Sequence, residues 1–145
     1  MEILQNLEIG LSTVKAGTGK FYSNSIGLIG VDRYVVLWEE LNNNWDIYGK
    51  IIDADYNVIK DKFYIPNFTA DQQTRMSGAA LDNGNFVVVW DSFGEEGKWN
   101  IYGAIFDFSG SKILLQDFKI NVDSTYTVNP QVTTLKNGDF VVTWH

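Results

Sequence analysis

The chain of 145 residues contains no cysteine and one histidine, His145. Without thiols there is no disulfide framework, no thiolate zinc site and no cysteine nucleophile. A single histidine excludes a histidine metal cluster, and its position at the end of the sequence is a poor basis for a Ser-His-Asp triad. We therefore predict that the protein is not an enzyme and carries neither a cofactor nor a metal.

Positive charge is also scarce, since 11 Lys and Arg face 18 Asp and Glu, for a formal net charge of −7. Nucleic acids and anionic bilayers attract basic protein surfaces, so neither is expected as a partner. No apolar run approaches the ~18 residues of a membrane span, and the first residues do not resemble a signal peptide. We expect either a cytosolic chain or a segment of a larger exported protein.

The apolar content is high, with 45% hydrophobic and 14% aromatic residues, as in a folded single domain. Many of these apolar and aromatic residues recur in an internal repeat. Residues 81–90 read Leu-Asp-Asn-Gly-Asn-Phe-Val-Val-Val-Trp and residues 135–144 read Leu-Lys-Asn-Gly-Asp-Phe-Val-Val-Thr-Trp. A divergent copy ends at Trp38, and Trp-Asp-Ile-Tyr-Gly at 45–49 matches Trp-Asn-Ile-Tyr-Gly at 99–103. The domain 1–145 therefore divides into an N-terminal strand (1–20), repeat 1 (21–68), repeat 2 (69–122) and a partial repeat 3 (123–145).

Each full repeat predicts four short antiparallel strands. Asn83-Gly84 and Asn137-Gly138 between apolar runs predict type I′ hairpin turns. The fourth strands are expected at 58–65 and 113–120. Phe86 to Trp90 is apolar on both faces, so both faces of its sheet are covered, and no helical periodicity supplies a cover. Face-to-face stacking of repeated sheets predicts an all-β, β-propeller-type fold, with a β-sandwich as the alternative.

The repeat strings themselves have a known likeness. Asn-Gly-Asn-Phe-Val-Val-Val-Trp, Ile-Tyr-Gly-Ala-Ile-Phe-Asp-Phe-Ser-Gly and Phe-Lys-Ile-Asn-Val resemble the ~50-residue Gly-Phe-Val-Val-x-Trp and Tyr-Gly-x-x-Phe-Asp repeats of large bacterial surface and secreted proteins. Such repeats often accompany calcium-binding toxin-type or cadherin-like repeats. The resemblance implies a propeller-like scaffold, adhesive or structural use, and a secreted or cell-surface location.

The predicted strand number bears on assembly. One N-terminal strand, two full repeats and the two strands of repeat 3 make fewer than three blades, whereas a closed ring takes at least about four. We therefore expect a homodimer, or a ring completed by the remainder of a longer chain. An open sheet edge would otherwise favour aggregation.

Glycan binding is the first alternative to a purely scaffolding role. Trp45 and Trp99 precede the third strands and follow polar loops. Together with Asn44, Asp91 and Glu95 they form the candidate ligand-binding set, because aromatic rings stack on sugars while amides and carboxylates bind hydroxyls. A fixed repeat position is also typical of tryptophans that pack within a sheet stack.

A carbohydrate-active hydrolase is the second alternative, and it would use the carboxylate pairs Glu39/Glu40 and Glu95/Glu96. Residues 53–57, Asp-Ala-Asp-Tyr-Asn, begin like a calcium loop but have Val58 and Tyr64 where such a loop needs Gly and Glu. We expect a polar hairpin turn there. A non-catalytic recognition or scaffolding module is the function that the sequence favours.

Overall fold

A computed structural model of the chain describes residues 21–30, 32–94, 97–122 and 126–145. Within these ranges the chain forms ten strands and no α-helix. No helix in the described part is long and apolar enough to cross a bilayer. The N-terminal strand predicted within 1–20 lies outside the described residues. The strands are β1 Phe21–Ile29, β2 Arg33–Leu41, β3 Trp45–Asp53, β4 Val58–Tyr64, β5 Gln73–Ala80, β6 Phe86–Phe93, β7 Trp99–Phe106, β8 Phe118–Lys119, β9 Gln131–Thr134 and β10 Phe140–Thr143.

The strands form three antiparallel sheets, one for each repeat. The first sheet has the order β1-β2-β3-β4, the second β5-β6-β7-β8, and the third pairs β9 with β10. Every neighbour in a sheet is also the next strand in sequence, because short hairpins connect antiparallel strands. The predicted all-β class and the four-stranded antiparallel repeats are confirmed.

The predicted fourth strand of repeat 2 was too long. The structure pairs Phe118 and Lys119 with β7, and Lys112 forms an isolated bridge. Single backbone hydrogen bonds to β7 also come from Ile113 N and Ile120 N, so the gap in the pairing lies at 114–117. Leu115, within the predicted strand, has 85% of its surface exposed. The carbonyl oxygen of Leu115 instead accepts a hydrogen bond from Asn67 Nδ2 at 2.7 Å. This contact with the β4–β5 connection holds the segment outside the sheet.

The Asn-Gly turns also differ from the type I′ prediction. Only the glycines adopt left-handed backbone, with φ of 82° at Gly84 and 86° at Gly138. Gly84 N donates to Leu81 O at 3.1 Å, and Leu81 N donates to Asn85 O at 2.8 Å. This is a three-residue hairpin loop in which a type I turn precedes one left-handed residue. Such a loop needs glycine at one position, whereas type I′ needs positive φ at two.

The main core lies between the first and second sheets, which pack face to face. Val35 and Leu37 of β2 contribute from one side, and Phe86, Val88 and Trp90 of β6 contribute from the other. These residues alternate along their strands, as expected for side chains that share one face. The opposite face of β6 is buried as well. The third sheet covers that face, since β9 lies against β5 and β6.

Candidate functional site

A chain of polar residues joins the three sheets at the ends of the tryptophan-bearing strands. The residue after each repeated tryptophan is Glu39, Asp91 or His145. Glu39 and Asp91 are buried, and each accepts a hydrogen bond from the next repeat, Glu39 from β5 and Asp91 from the segment just before β9. Arg75 N donates to Glu39 Oε1 at 2.5 Å, and Asn129 N donates to Asp91 Oδ2 at 3.2 Å. We call Glu39, Arg75, Asp91, Asn129 and His145 the inter-sheet polar chain.

The side chains of the inter-sheet polar chain repeat a second contact. Arg75 Nε donates to Asp91 Oδ2, and Asn129 Nδ2 donates to His145 Nε2 at 3.0 Å. Each of these two residues therefore binds the preceding repeat through its backbone and its own repeat through its side chain. The same arrangement occurs at two successive junctions with different residue types, so it follows from the shared backbone geometry.

Left-handed backbone makes this contact possible. Arg75 has φ of 52° and Asn129 has φ of 57°, both unusual for residues other than glycine. Arg75 lies in a β-bulge, where the pairing register of β5 and β6 shifts between Thr74 and Ser77. A non-glycine residue in this conformation costs on the order of 1–3 kcal/mol, which the surrounding contacts must offset.

Burial sets the electrostatics of the two carboxyl groups. It raises the pKa of Glu39 above its ordinary value, against the opposing effect of hydrogen bonds from the Arg75 and Met76 amides. Burial also raises the pKa of Asp91, against the opposing hydrogen bond and charge of Arg75. Both carboxyl groups therefore retain protons at higher pH than exposed carboxyl groups do.

Several buried polar atoms beside the inter-sheet polar chain lack a hydrogen-bond partner within the described structure. They include Arg75 Nη2, Asp91 Oδ1 and both amide atoms of Gln73. Gln73 is fully buried. The unpaired atoms therefore make this part of the interior polar, as in interior sites that hold water in other proteins. Among the residues that the structure describes, no three acidic or histidine side chains are arranged to hold a metal ion.

The predicted sugar-binding residues lie in two separate places. Asn44 precedes Trp45 in the first sheet, and its Nδ2 donates to Ala70 O at 2.8 Å. In the second sheet the Arg75 guanidinium lies 4.7 Å from the centroid of the Trp99 ring. Asp91 belongs to the inter-sheet polar chain and is fully buried, so it is directed away from any external ligand. Glu95 falls outside the described residues.

The first carboxylate pair divides between the two faces of β2. Glu39 enters the inter-sheet polar chain, whereas Glu40 binds Lys62 at 2.6 Å and accepts a hydrogen bond from Trp38 Nε1 at 3.3 Å. Consecutive strand residues point to opposite faces. Glu39 and Glu40 therefore do not face one another across a cleft. Glu95 and Glu96, the second predicted pair, both lie outside the described residues.

The calcium-like stretch at 53–57 forms a hairpin turn. Asp53 Oδ1 accepts hydrogen bonds from Asp55 N at 2.9 Å and Asn57 N at 2.8 Å, and Asp53 Oδ2 accepts from Asn57 Nδ2 at 2.9 Å. These bonds hold the pKa of Asp53 below its ordinary value, and the bond from the Asn57 side chain has the largest effect. Both oxygens of this carboxylate are used within the turn, as at many Asx turns.

The second sheet carries a cleft of about 210 Å³ that is not predicted from the sequence. It is formed where the β4–β5 connection meets the segment before β8. Its lining combines apolar and aromatic side chains with polar ones: Pro66, Phe68, Trp90 and Tyr102, and Asn67, Ser92, Gln116 and Asp117. Trp90 and Tyr102 occupy repeat positions that the sequence marks. The two connections do not repeat, so no periodic signal pointed to their meeting.

Comparisons with known proteins supply no relative: no family model, no curated protein and no solved structure matches the chain.

Proposed function

We propose that the chain is a non-catalytic recognition scaffold of β-propeller type, built from four-stranded sheets stacked about a common axis. The observation that carries the proposal is the recurrence of the inter-sheet polar chain at both described junctions. The resemblance of the sequence repeats to those of bacterial surface proteins favours an adhesive role at the cell surface or outside the cell.

The second sheet supplies the main argument for a propeller over a sandwich. Phe86, Val88 and Trp90 face the first sheet, and Val87 and Val89 are fully buried on the side of the third. A two-sheet sandwich leaves the outer face of each sheet toward solvent. A blade in a propeller has a neighbour on both faces, and the same junction then recurs between successive blades.

The third sheet leaves the equivalent surface uncovered. Val35 of the first sheet is 4% exposed and Val87 of the second is 0% exposed, each against the next sheet, whereas Val141 is 40% exposed. Burial at the two equivalent positions supports the proposal that a further sheet of this kind packs against Val141. We propose that a second copy of the chain supplies it in a homodimer. The remainder of a longer chain is the alternative source.

Sedimentation equilibrium of the wild type and two variants tests this assembly. The wild type should have twice the 16.4 kDa mass of one chain. Val141→Lys places a charge in the proposed interface and should give a monomer, because a buried unpaired charge is costly. Val122→Lys is the matched control, since Val122 is 96% exposed. A wild type that remains monomeric at all concentrations contradicts the homodimer.

A further inference from the structure

The cleft on the second sheet has walls of two chemical kinds. The rings of Phe68 and Tyr102 provide apolar faces, and the buried ring of Trp90 lies beneath them at the base of the cleft. Ser92 and Gln116, together with Asn67 and Asp117, provide hydroxyl, amide and carboxylate groups. Concave sites that bind small molecules combine these features, namely an apolar lining and a few convergent polar groups.

The polar wall is pre-organised and electrically balanced. Asp117 Oδ2 accepts a hydrogen bond from Asn67 N at 2.7 Å, and its other oxygen pairs with Lys112 Nζ. Lys112 Nζ also donates to Asn67 Oδ1 at 2.7 Å. This network joins the two connections that form the cleft. Because Lys112 neutralises Asp117, the wall offers hydrogen bonds without a large net charge.

The chemistry of the walls discriminates between classes of ligand. A phosphate or carboxylate would find no cation among the lining residues, and the nearby Lys112 is already paired with Asp117. An apolar side chain would desolvate Ser92 and Gln116 without replacing their hydrogen bonds to water. A neutral ring that carries hydroxyl groups satisfies both walls, because its C–H face packs on aromatic rings and its hydroxyls both donate and accept.

We propose that this cleft binds a single sugar ring. The cleft of about 210 Å³ is small beside the roughly 300–1,000 Å³ of typical small-molecule sites, which suits one ring and not an oligosaccharide. The site is distinct from the predicted set around Trp45 and Trp99. It is formed within one chain, so its test is independent of the homodimer.

Ligand-observed NMR with free hexoses and N-acetylhexosamines tests the proposal, followed by calorimetry on any sugar that binds. At least one should bind, with a Kd on the order of 1 mM. Phe68→Ala removes an aromatic wall and Gln116→Ala removes a hydrogen-bonding group. Each should weaken binding about fivefold, the effect of losing one modest contact.

Phe108→Ala is the matched control, because Phe108 is 50% exposed and Phe68 51%, while Phe108 lies outside the cleft. Circular dichroism confirms that each variant is folded, and Phe108→Ala should retain the wild-type Kd. The proposal is overturned if no sugar of the panel binds, or if binding survives unchanged in both cleft variants. Binding lost in Trp99→Ala but kept in Phe68→Ala would overturn it in favour of the Trp99 surface.

Discussion

Replacing Tyr56 with glycine is expected to stabilise the fold. Tyr56 has φ of 66° and takes the left-handed position of the hairpin between β3 and β4. Tyr56 N donates to Asp53 O at 3.1 Å, which is the turn geometry seen at Gly84. The three matching hairpins have glycine at the equivalent left-handed position, namely Gly84, Gly110 and Gly138. Tyr56 is therefore the one described member of this set that bears a side chain.

The magnitude follows from two opposing effects. Left-handed backbone costs a residue with a Cβ atom roughly 1–2 kcal/mol, a cost that Tyr56→Gly removes. Glycine in turn loses more conformational freedom on folding, which offsets roughly 0.5–1 kcal/mol. Tyr56 is 41% exposed, so little packing is lost. At the middle of each range the net gain is about 0.75 kcal/mol, or a rise in Tm of about 1–3 °C.

Urea unfolding and calorimetry of both proteins measure this difference. Phe108→Gly is the control. Phe108 lies in the matching hairpin two residues before the left-handed Gly110, and its own φ is not positive. That variant should be destabilised by about 1 kcal/mol or more, since it adds the entropic cost of glycine and loses the contact of the ring with the Arg33 guanidinium 4.8 Å away. A Tyr56→Gly protein that is no more stable than the wild type would refute the assignment of strain to this turn.

Three further outcomes follow from the same structure. Burial raises the pKa of Glu39, so its contribution to stability is present at low pH and is lost as pH rises through the folded pKa. Glu39→Gln keeps an acceptor for the Arg75 amide. In urea titrations this variant should be more stable than the wild type at pH 8 and should lose that advantage near pH 4. A stability difference that is the same at both pH values would contradict this. Gly103→Ala should destabilise the fold by about 1–3 kcal/mol in the same assay, because a Cβ atom would lie 2.9 Å from the Phe118 ring. A variant as stable as the wild type would mean that the ring moves freely. Millimolar calcium should leave Tm unchanged, since Asp53 is used within its turn, and a rise of several degrees would argue for a calcium site.

The repeated strings were sufficient to predict the sheets. Phe86 to Trp90 and Trp99 to Gly103 fall in β6 and β7 as expected, because alternation of apolar side chains and β-branched content are local properties. The predicted turns were correctly placed, but their type was wrong. Turn type depends on the hydrogen bonds that close the loop, and Asn-Gly is compatible with both geometries.

The candidate sites were less predictable because they depend on contacts between distant segments. The inter-sheet polar chain joins Glu39 to Arg75 and Asp91 to Asn129 across 36 and 38 residues. The sequence shows the residue after each tryptophan but not the left-handed residue that meets it, since nothing in Arg75 itself signals positive φ. The shortening of β8 has a similar origin, because Asn67 competes for that segment from 48 residues away.

Small-angle X-ray scattering from the intact chain tests the central claim, that repeated sheets stack into a propeller-type assembly. The account predicts a forward-scattering mass of two chains, twice 16.4 kDa. It also predicts a flat, disc-like particle of about six sheets, as expected for a closed ring. A compact particle with the mass of one chain would contradict the account and favour the two-layer sandwich.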